Sequence, residues 1–274
     1  MPKDKVVLIT GANGNLGCKL RTHFEAQGGY ELRLLDRDAA GTPGVVAADL
    51  ADYNEEWARH FEGVDAVLHL AAHPGPNIDW ETAQRLNIDL TFNVYDAAAR
   101  KGARRMVFAS SNWVMAGYRF DDVRLTTDLL PRPVNPYGIT KLIGERAGKS
   151  LAEQRNVGFI GLRIGYCQPG ENRPGPHMGQ GLWGQHMWLS NRDLCHGWER
   201  AILAEDVDFA VLNLMSDNPG MPWDIEETRW VIGYEPQDRH TALSTDDHVQ
   251  RSVALRDKYR LVDGLEQVFV AGEW

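Results

Sequence analysis

Tyr137 and Lys141 stand four residues apart in Pro136-Tyr137-Gly138-Ile139-Thr140-Lys141, a spacing that sets a phenol and an ammonium on one face of a helix. A free tyrosine loses its proton at about pH 10, and a neighbouring cation favours the phenolate. The pair could therefore take a proton from a hydroxyl as a general base. Taken alone, a tyrosine and a lysine at this spacing also suit an ordinary solvent-facing helix. Ser110-Ser111-Asn112 follows the apolar run Met106 to Ala109. Its hydroxyls could orient a reacting oxygen or serve as loop hydrogen bonders.

A second constellation is Thr10-Gly11-Ala12-Asn13-Gly14-Asn15-Leu16-Gly17, directly after Val6-Val7-Leu8-Ile9. Gly11, Gly14 and Gly17 let the backbone turn sharply and approach a pyrophosphate, whose charge rests on unpaired amides at a helix start. Leu32 to Leu35 then ends in Asp36, about twenty residues on, where a carboxylate accepts the ribose hydroxyls of NAD and repels a 2'-phosphate. Arg37 follows and offers such a phosphate some compensation, so use of NADP stays open. The positive ring of NAD+ would add to the field favouring a Tyr137 phenolate.

These residues need elements to carry them. Apolar runs at Val6–Ile9, Leu32–Leu35, Val45–Ala48, Ala66–Leu70, Met106–Ala109, Phe159–Arg163 and Phe209–Leu214 alternate with helical intervals, one of them Leu142 to Ala152. The pattern predicts an α/β fold, a Rossmann-type doubly wound parallel sheet with a small C-terminal substrate-binding lobe. The chemistry-bearing residues fall at strand carboxyl ends, where such sheets bind ligands. After residue 165 prolines and glycines break every period, which predicts a long substrate-covering loop carrying Arg173, His177, Trp183, His186 and Trp188. Residues 1–165 would form the NAD-binding core with the Ser/Tyr/Lys set. Residues 166–274 would supply covering loops, the lobe and a late strand of the sheet.

With 274 residues and 43% hydrophobic content, the chain can bury a sizeable core. Its net charge of -9 argues against a nucleic-acid partner. Cys18, Cys167 and Cys195 are too scattered for a disulfide framework or a zinc site, and no metal is expected. The short apolar run after Met1-Pro2-Lys3-Asp4-Lys5 does not make a signal peptide, and no run is long enough to span a bilayer. A cytoplasmic protein without a membrane partner is expected.

The glycine turn, Asp36, the strand end Leu70-Ala71-Ala72, Asn87, Ser111 and the Tyr137/Lys141 pair together resemble the extended short-chain dehydrogenase/reductase family, the NAD-dependent epimerase/dehydratase group. The resemblance covers nearly the whole chain. It implies that Tyr137 is the catalytic base, that Ser111 holds the substrate oxygen, and that Lys141 bonds the nicotinamide ribose and lowers the tyrosine pKa. Phe108 to Asn112, Leu162-Arg163-Ile164-Gly165, Trp223-Asp224 and Gly233 to Pro236 are most similar to the uronate dehydrogenases, which oxidise the anomeric hydroxyl of a sugar acid to a lactone. That likeness adds NAD contacts from Asn15, Leu16, Asp49, Leu50, Leu70, Ala72, Asn87, Ala109, Ile164 and Cys167. It adds substrate contacts from Ser111, Asn112 and Tyr137.

The departures bear on the substrate. Trp113 stands where those enzymes have histidine, Tyr166 and Pro74 where they have serine, and Arg173 is only a near counterpart of their carboxylate-binding arginine. Arg173 could grip a carboxylate or a sulfonate with paired hydrogen bonds, or face solvent. Trp113, Trp183 and Trp188 could stack on a sugar, and His73 could touch substrate or pack within its loop. A sugar or sugar-acid dehydrogenase is expected. A sulfosugar is the alternative substrate, and an NAD-retaining epimerase or dehydratase is the rival reaction. Against the rival, Asn112 and Trp113 follow Ser111 in place of an added acid/base pair. A non-catalytic NAD sensor would not need both Tyr137 and Lys141. The family also implies a homodimer through Ile88–Ala99 and Lys141–Ala152.

Overall fold

The fold is seen in a computed structural model that describes residues 4–39 and 41–243; the last part of the expected C-terminal lobe, 244–274, lies outside the described residues. The chain runs β1 (Lys5–Thr10), α1 (Asn15–Gln27), β2 (Tyr30–Asp36), β3 (Val45–Ala47), α2 (Glu55–Ala58) and β4 (Ala66–His69). It continues with α3 (Trp80–Ala83), a π-helical stretch (Gln84–Asp89), α4 (Leu90–Lys101), β5 (Arg105–Ser111), a 3-10 stretch (Asn112–Tyr118) and α5 (Pro136–Arg155). β6 (Gly158–Ile164), α6 (Gly181–His186), α7 (Asn191–Leu203), β7 (Phe209–Leu214) and α8 (Glu226–Ile232) follow.

The seven strands are all parallel, in the order β3-β2-β1-β4-β5-β6-β7. A parallel strand covered on both faces needs an unbroken apolar run, and β1 shows why. Val7 and Ile9 join the core shared with α1, α7 and α8, whereas Val6 and Leu8 point to the core shared with α2, α4 and α5. The chain moves from β1 to β2 on one side and returns to β4 on the other. A crevice opens beyond the strand ends at that reversal.

α5 sets the geometry of the site. Asn135 Oδ1 accepts the Gly138 N–H at 2.8 Å and Pro136 is the first helical residue, a pairing that fixes where the helix begins. Its sheet-facing side is stripped to hydrogen: a methyl on Gly144 would lie 2.4 Å from Phe108 Cζ, and one on Gly148 would lie 2.2 Å from the Phe159 ring. The helix therefore rests on the rings of β5 and β6, and its first turns deliver Tyr137 and Lys141 to the carboxyl end of β5.

The segment after residue 165 is more ordered than its composition predicts. Tyr166 and Trp188 pair in a parallel bridge, the Tyr166 N–H donates to the Met187 carbonyl at 2.7 Å, and α6 lies between them. Gly165 permits this return, since a Cβ there would meet the Met187 oxygen at 2.1 Å. α7, β7 and α8 complete the main sheet layers, with Trp198 and Tyr234 wholly buried. A third, smaller core joins Val114, Met115, Leu125, Met187, Met215, Trp223 and Ile225. This covering layer draws on both halves of the chain. No helix among the described residues is long and apolar enough to cross a membrane.

Candidate active site

The crevice measures about 1010 Å³, large enough for a dinucleotide and a small substrate. At one end lies the glycine turn. Gly11 has φ +72°, and a Cβ there would sit 2.8 Å from the Ala71 nitrogen; both demands admit only glycine. A Cβ on Gly17 would strike the Gly11 oxygen at 2.2 Å. Gly14 precedes α1 without a capping side chain, which leaves the first helical amides for an anion. Asp36 braces the turn, accepting the N–H groups of Asn13 and Asp38 at 2.9 and 3.0 Å. Arg85 holds Asp49 at 2.8 Å. Asn15 donates to the Cys167 carbonyl at 2.9 Å, and Lys19 reaches the Cys167 sulfur at 3.3 Å, tying α1 to the exit of β6. Burial nonetheless pushes the Cys167 thiol up.

At the other end Ser111, the last residue of β5, lines the crevice together with the Tyr137 phenol. Burial pushes that phenol up to about 12, and the Ser111 hydroxyl works in the opposite direction. The Lys141 ammonium lies 5.6 Å from the Tyr137 ring centroid and 5.1 Å from that of Phe108. Burial draws it down to about 8. It makes no hydrogen bond among the described residues. Sequence spacing leads to the expectation of a phenol made acidic by this ammonium. In the protein by itself the phenol is raised instead: burial is the dominant cause, and the ammonium stands over the ring, 5.6 Å from its centroid. Beneath the pair, Ser110 donates to Glu145 at 2.6 Å, and Glu145 takes two bonds of 2.9 Å from Arg163. This buried, neutralised cluster clamps β5, α5 and β6 together.

A hydrogen-bonded relay joins the two ends, and sequence reasoning missed most of it. His69 sits between Thr10 and Thr91 at 2.8 and 3.2 Å, and complete burial pushes its pKa down to about 3. The neutral ring accepts from Thr10 and donates to Thr91, which donates to the Asn87 carbonyl at 2.7 Å. The Asn87 amide accepts the His73 N–H at 2.7 Å and donates to Thr140 at 3.2 Å. Thr140 in turn donates to the Tyr137 carbonyl at 2.8 Å. The π-helical stretch turns Asn87 inward, a register that a period of 3.6 does not reveal.

Most of the residues singled out by sequence meet in the crevice. Gly11, Gly14, Asn15, Leu16, Gly17, Asp36, Arg37, Asp49, Leu50, Leu70, Ala71, Ala72, Ala109, Ile164 and Cys167 line it, as do His73, Ser111, Asn112, Trp113, Tyr137, Lys141 and Tyr166. Two do not. Asn87 is buried behind the wall and braces the β4 loop against α5. Arg173 projects into solvent, its side chain 80% exposed and paired with Glu171 at 2.6 Å. Trp183 packs on Trp223 with centroids 4.4 Å apart, and Trp188 donates to the Asn172 carbonyl at 3.0 Å, so of the three tryptophans only Trp113 reaches the crevice. Arg21, Gln180 and Met187 line it without having been singled out. Arg21 is one helical turn beyond Gly17, a spacing that could have revealed it.

A match to the NAD dependent epimerase/dehydratase family runs over residues 7–174. The chain belongs to this family. Among its relatives, the NAD-dependent glucose-6-phosphate dehydrogenase of Haloferax volcanii is 35% identical over 256 residues, spanning 86% of this chain and 94% of that protein. The L-arabinose 1-dehydrogenase (NAD(P)(+)) of the same organism is 31% identical over 252 residues, spanning 86% and 98%. A solved structure of an Agrobacterium tumefaciens uronate dehydrogenase mutant complexed with NAD superposes with a TM-score of 0.72 at 28% identity, covering 92% of this chain and 89% of that one. The family's cofactor fits the residues present. The glycine cradle has no room for a Cβ, Asp36 lies at the end of β2, and the buried Lys141 ammonium has donors to give. Among the described residues no cluster of three or more histidine, cysteine or acidic side chains could hold a metal ion.

Proposed function

We propose that this chain is an NAD-dependent dehydrogenase that oxidises a hydroxyl of a sugar or sugar acid, the anomeric one, to a lactone. The observation that carries the reading is that Ser111, Tyr137 and Lys141 line one end of the same crevice, with the Lys141 ammonium 5.6 Å from the phenol ring centroid. When bound, NAD supplies the acceptor for the hydrogen and electron pair that leave the carbon. Tyr137 takes the hydroxyl proton. Ser111 holds the same oxygen while negative charge develops on it. A phenol held at about 12 becomes a base through added positive charge, and the Lys141 ammonium with the oxidised nicotinamide would bring that charge. Lys141 would also donate to the neighbouring ribose. Gly11, Gly14 and Gly17 would hold the pyrophosphate and Asp36 the far ribose, while His73, Trp113 and Tyr166 would wall the substrate.

The test is a panel of aldoses and uronates incubated with the protein and NAD. The reading predicts continuous growth of NADH absorbance with one or more of them. Product formed at constant absorbance would favour the NAD-retaining epimerase instead.

We also read the α4–α5 face as a homodimer contact and the cytoplasm as the compartment. An apolar groove of about 720 Å³ lies between Phe92, Leu142, Ile143 and Ala147, with Phe92 49% exposed. Three unpaired cysteines suit a reducing compartment.

A further inference from the structure

The dehydrogenase reading leaves open whether the sugar carries a charge, and the crevice itself bears on this. Its ionic side chains are segregated. Arg21, Asp36, Arg37, Asp38 and Asp49 all belong to the glycine-turn end. Around Ser111 and Tyr137 the walls are His73, Asn112, Trp113, Tyr166 and Gln180. Among the described residues Lys141 is the one charged side chain lining that end, and it lies over the Tyr137 and Phe108 rings.

A carboxylate, sulfonate or phosphate taken out of water here would need a partner cation. Among the described residues, neither Arg119 nor Arg173 lines the crevice. Arg173 is paired with Glu171 at 2.6 Å and 80% exposed. Arg119 donates to the Gln180 carbonyl at 3.2 Å and lies 5.3 Å from the Phe120 ring centroid.

The polar atoms that do wall this end have the opposite requirement. Asn112, 5% exposed, gives its amide N–H to the Ile164 carbonyl at 3.0 Å. That bond fixes which way the amide points, because a carbonyl can only accept. Its Oδ1 is thereby an acceptor, buried and without a partner. Such an oxygen is satisfied by a hydroxyl hydrogen, so a sugar hydroxyl is the group that suits this wall. The His73 Nδ1 is likewise buried without a partner. Trp113 and Tyr166 offer apolar ring faces of the kind that pack on the C–H face of a sugar ring.

We propose that the substrate is a neutral aldose in its ring form, recognised through hydroxyl hydrogen bonds, and not the corresponding uronic acid, sugar phosphate or sulfonated sugar. The step balances as before: the anomeric C–H gives hydride to NAD+, the anomeric hydroxyl gives its proton to Tyr137, and C1 becomes the lactone carbonyl.

The experiment compares matched sets with the full chain and saturating NAD: glucose, glucuronate and glucose 6-phosphate, then galactose and galacturonate, with L-arabinose as a sugar lacking the last carbon. The proposal predicts a kcat/KM for the neutral member at least about tenfold above its charged counterparts, a modest figure for an anionic group desolvated without a partner cation. Arg173→Ala should leave both the rate and the preference unmoved. A charged member turned over as well as or better than its neutral counterpart, or an Arg173→Ala loss confined to charged sugars, overturns the neutral-aldose assignment and leaves the dehydrogenase reading intact. No NADH from any member of the panel removes the dehydrogenase reading, and this assignment with it.

Discussion

Lys141 is an ionisable group held where its charge is unwelcome. Burial draws it from 10.5 to about 8, which corresponds to roughly 3 kcal/mol against the charged form. The sign follows from proton binding. Between pH 8 and 10.5 the unfolded chain binds more protons at this site than the folded one, so stability rises through that window, and below pH 8 the whole cost is present. Lys141→Met should therefore unfold at higher denaturant than the parent at pH 7, with the gap closing as pH rises from 8 towards 10.5. Its kcat/KM should fall by about a hundredfold or more. Denaturant unfolding across that range together with steady-state rates checks both, and a gap that does not change with pH would contradict the account. Tyr137, Lys141, Ser111, the glycines and Asp36 were legible because their chemistry resides in residue type and short spacing. Arg173 was not, since Glu171, two residues away, takes its guanidinium into solvent, and a sequence does not say which partner wins.

α5 carries the site because it lies so close to β5 and β6. A methyl on Gly144 has Phe108 Cζ at 2.4 Å, and Phe108 is also the ring beneath Lys141. Gly144→Ala must shift the ring or lift the helix, and overpacking of this kind costs about 1–3 kcal/mol. The outcome to expect is a lower unfolding midpoint together with a reduced kcat, read by denaturant titration and NADH formation. Unchanged values of both would show that the glycine is not what holds Tyr137 at the strand end. The seven strands were readable as apolar runs between helical intervals, and so was α5 from Leu142 onward. The π-helical stretch around Asn87 and the bridge of Tyr166 to Trp188 were not. Each depends on contacts made across the fold, such as the near collision of Gly165 with Met187, and not on local periodicity.

At the scale of the whole molecule, the sheet order places a dinucleotide crevice at the β1 reversal, and the covering layer closes it with segments from both halves of the chain. That composite layer had no sequence signature, since Leu125 and Trp223 come together only in three dimensions. The α4–α5 face predicts a dimer in sedimentation, converted to a monomer by Phe92→Glu; a wild-type monomer at micromolar concentration would remove that face from consideration. The central claim is that Tyr137 is the base within a working NAD site. Tyr137→Phe, followed for NAD binding by calorimetry and for NADH formation with a sugar that the parent oxidises, tests it most directly. The account predicts near-parental NAD affinity with turnover reduced by about a hundredfold to ten-thousandfold. Near-parental turnover would contradict it.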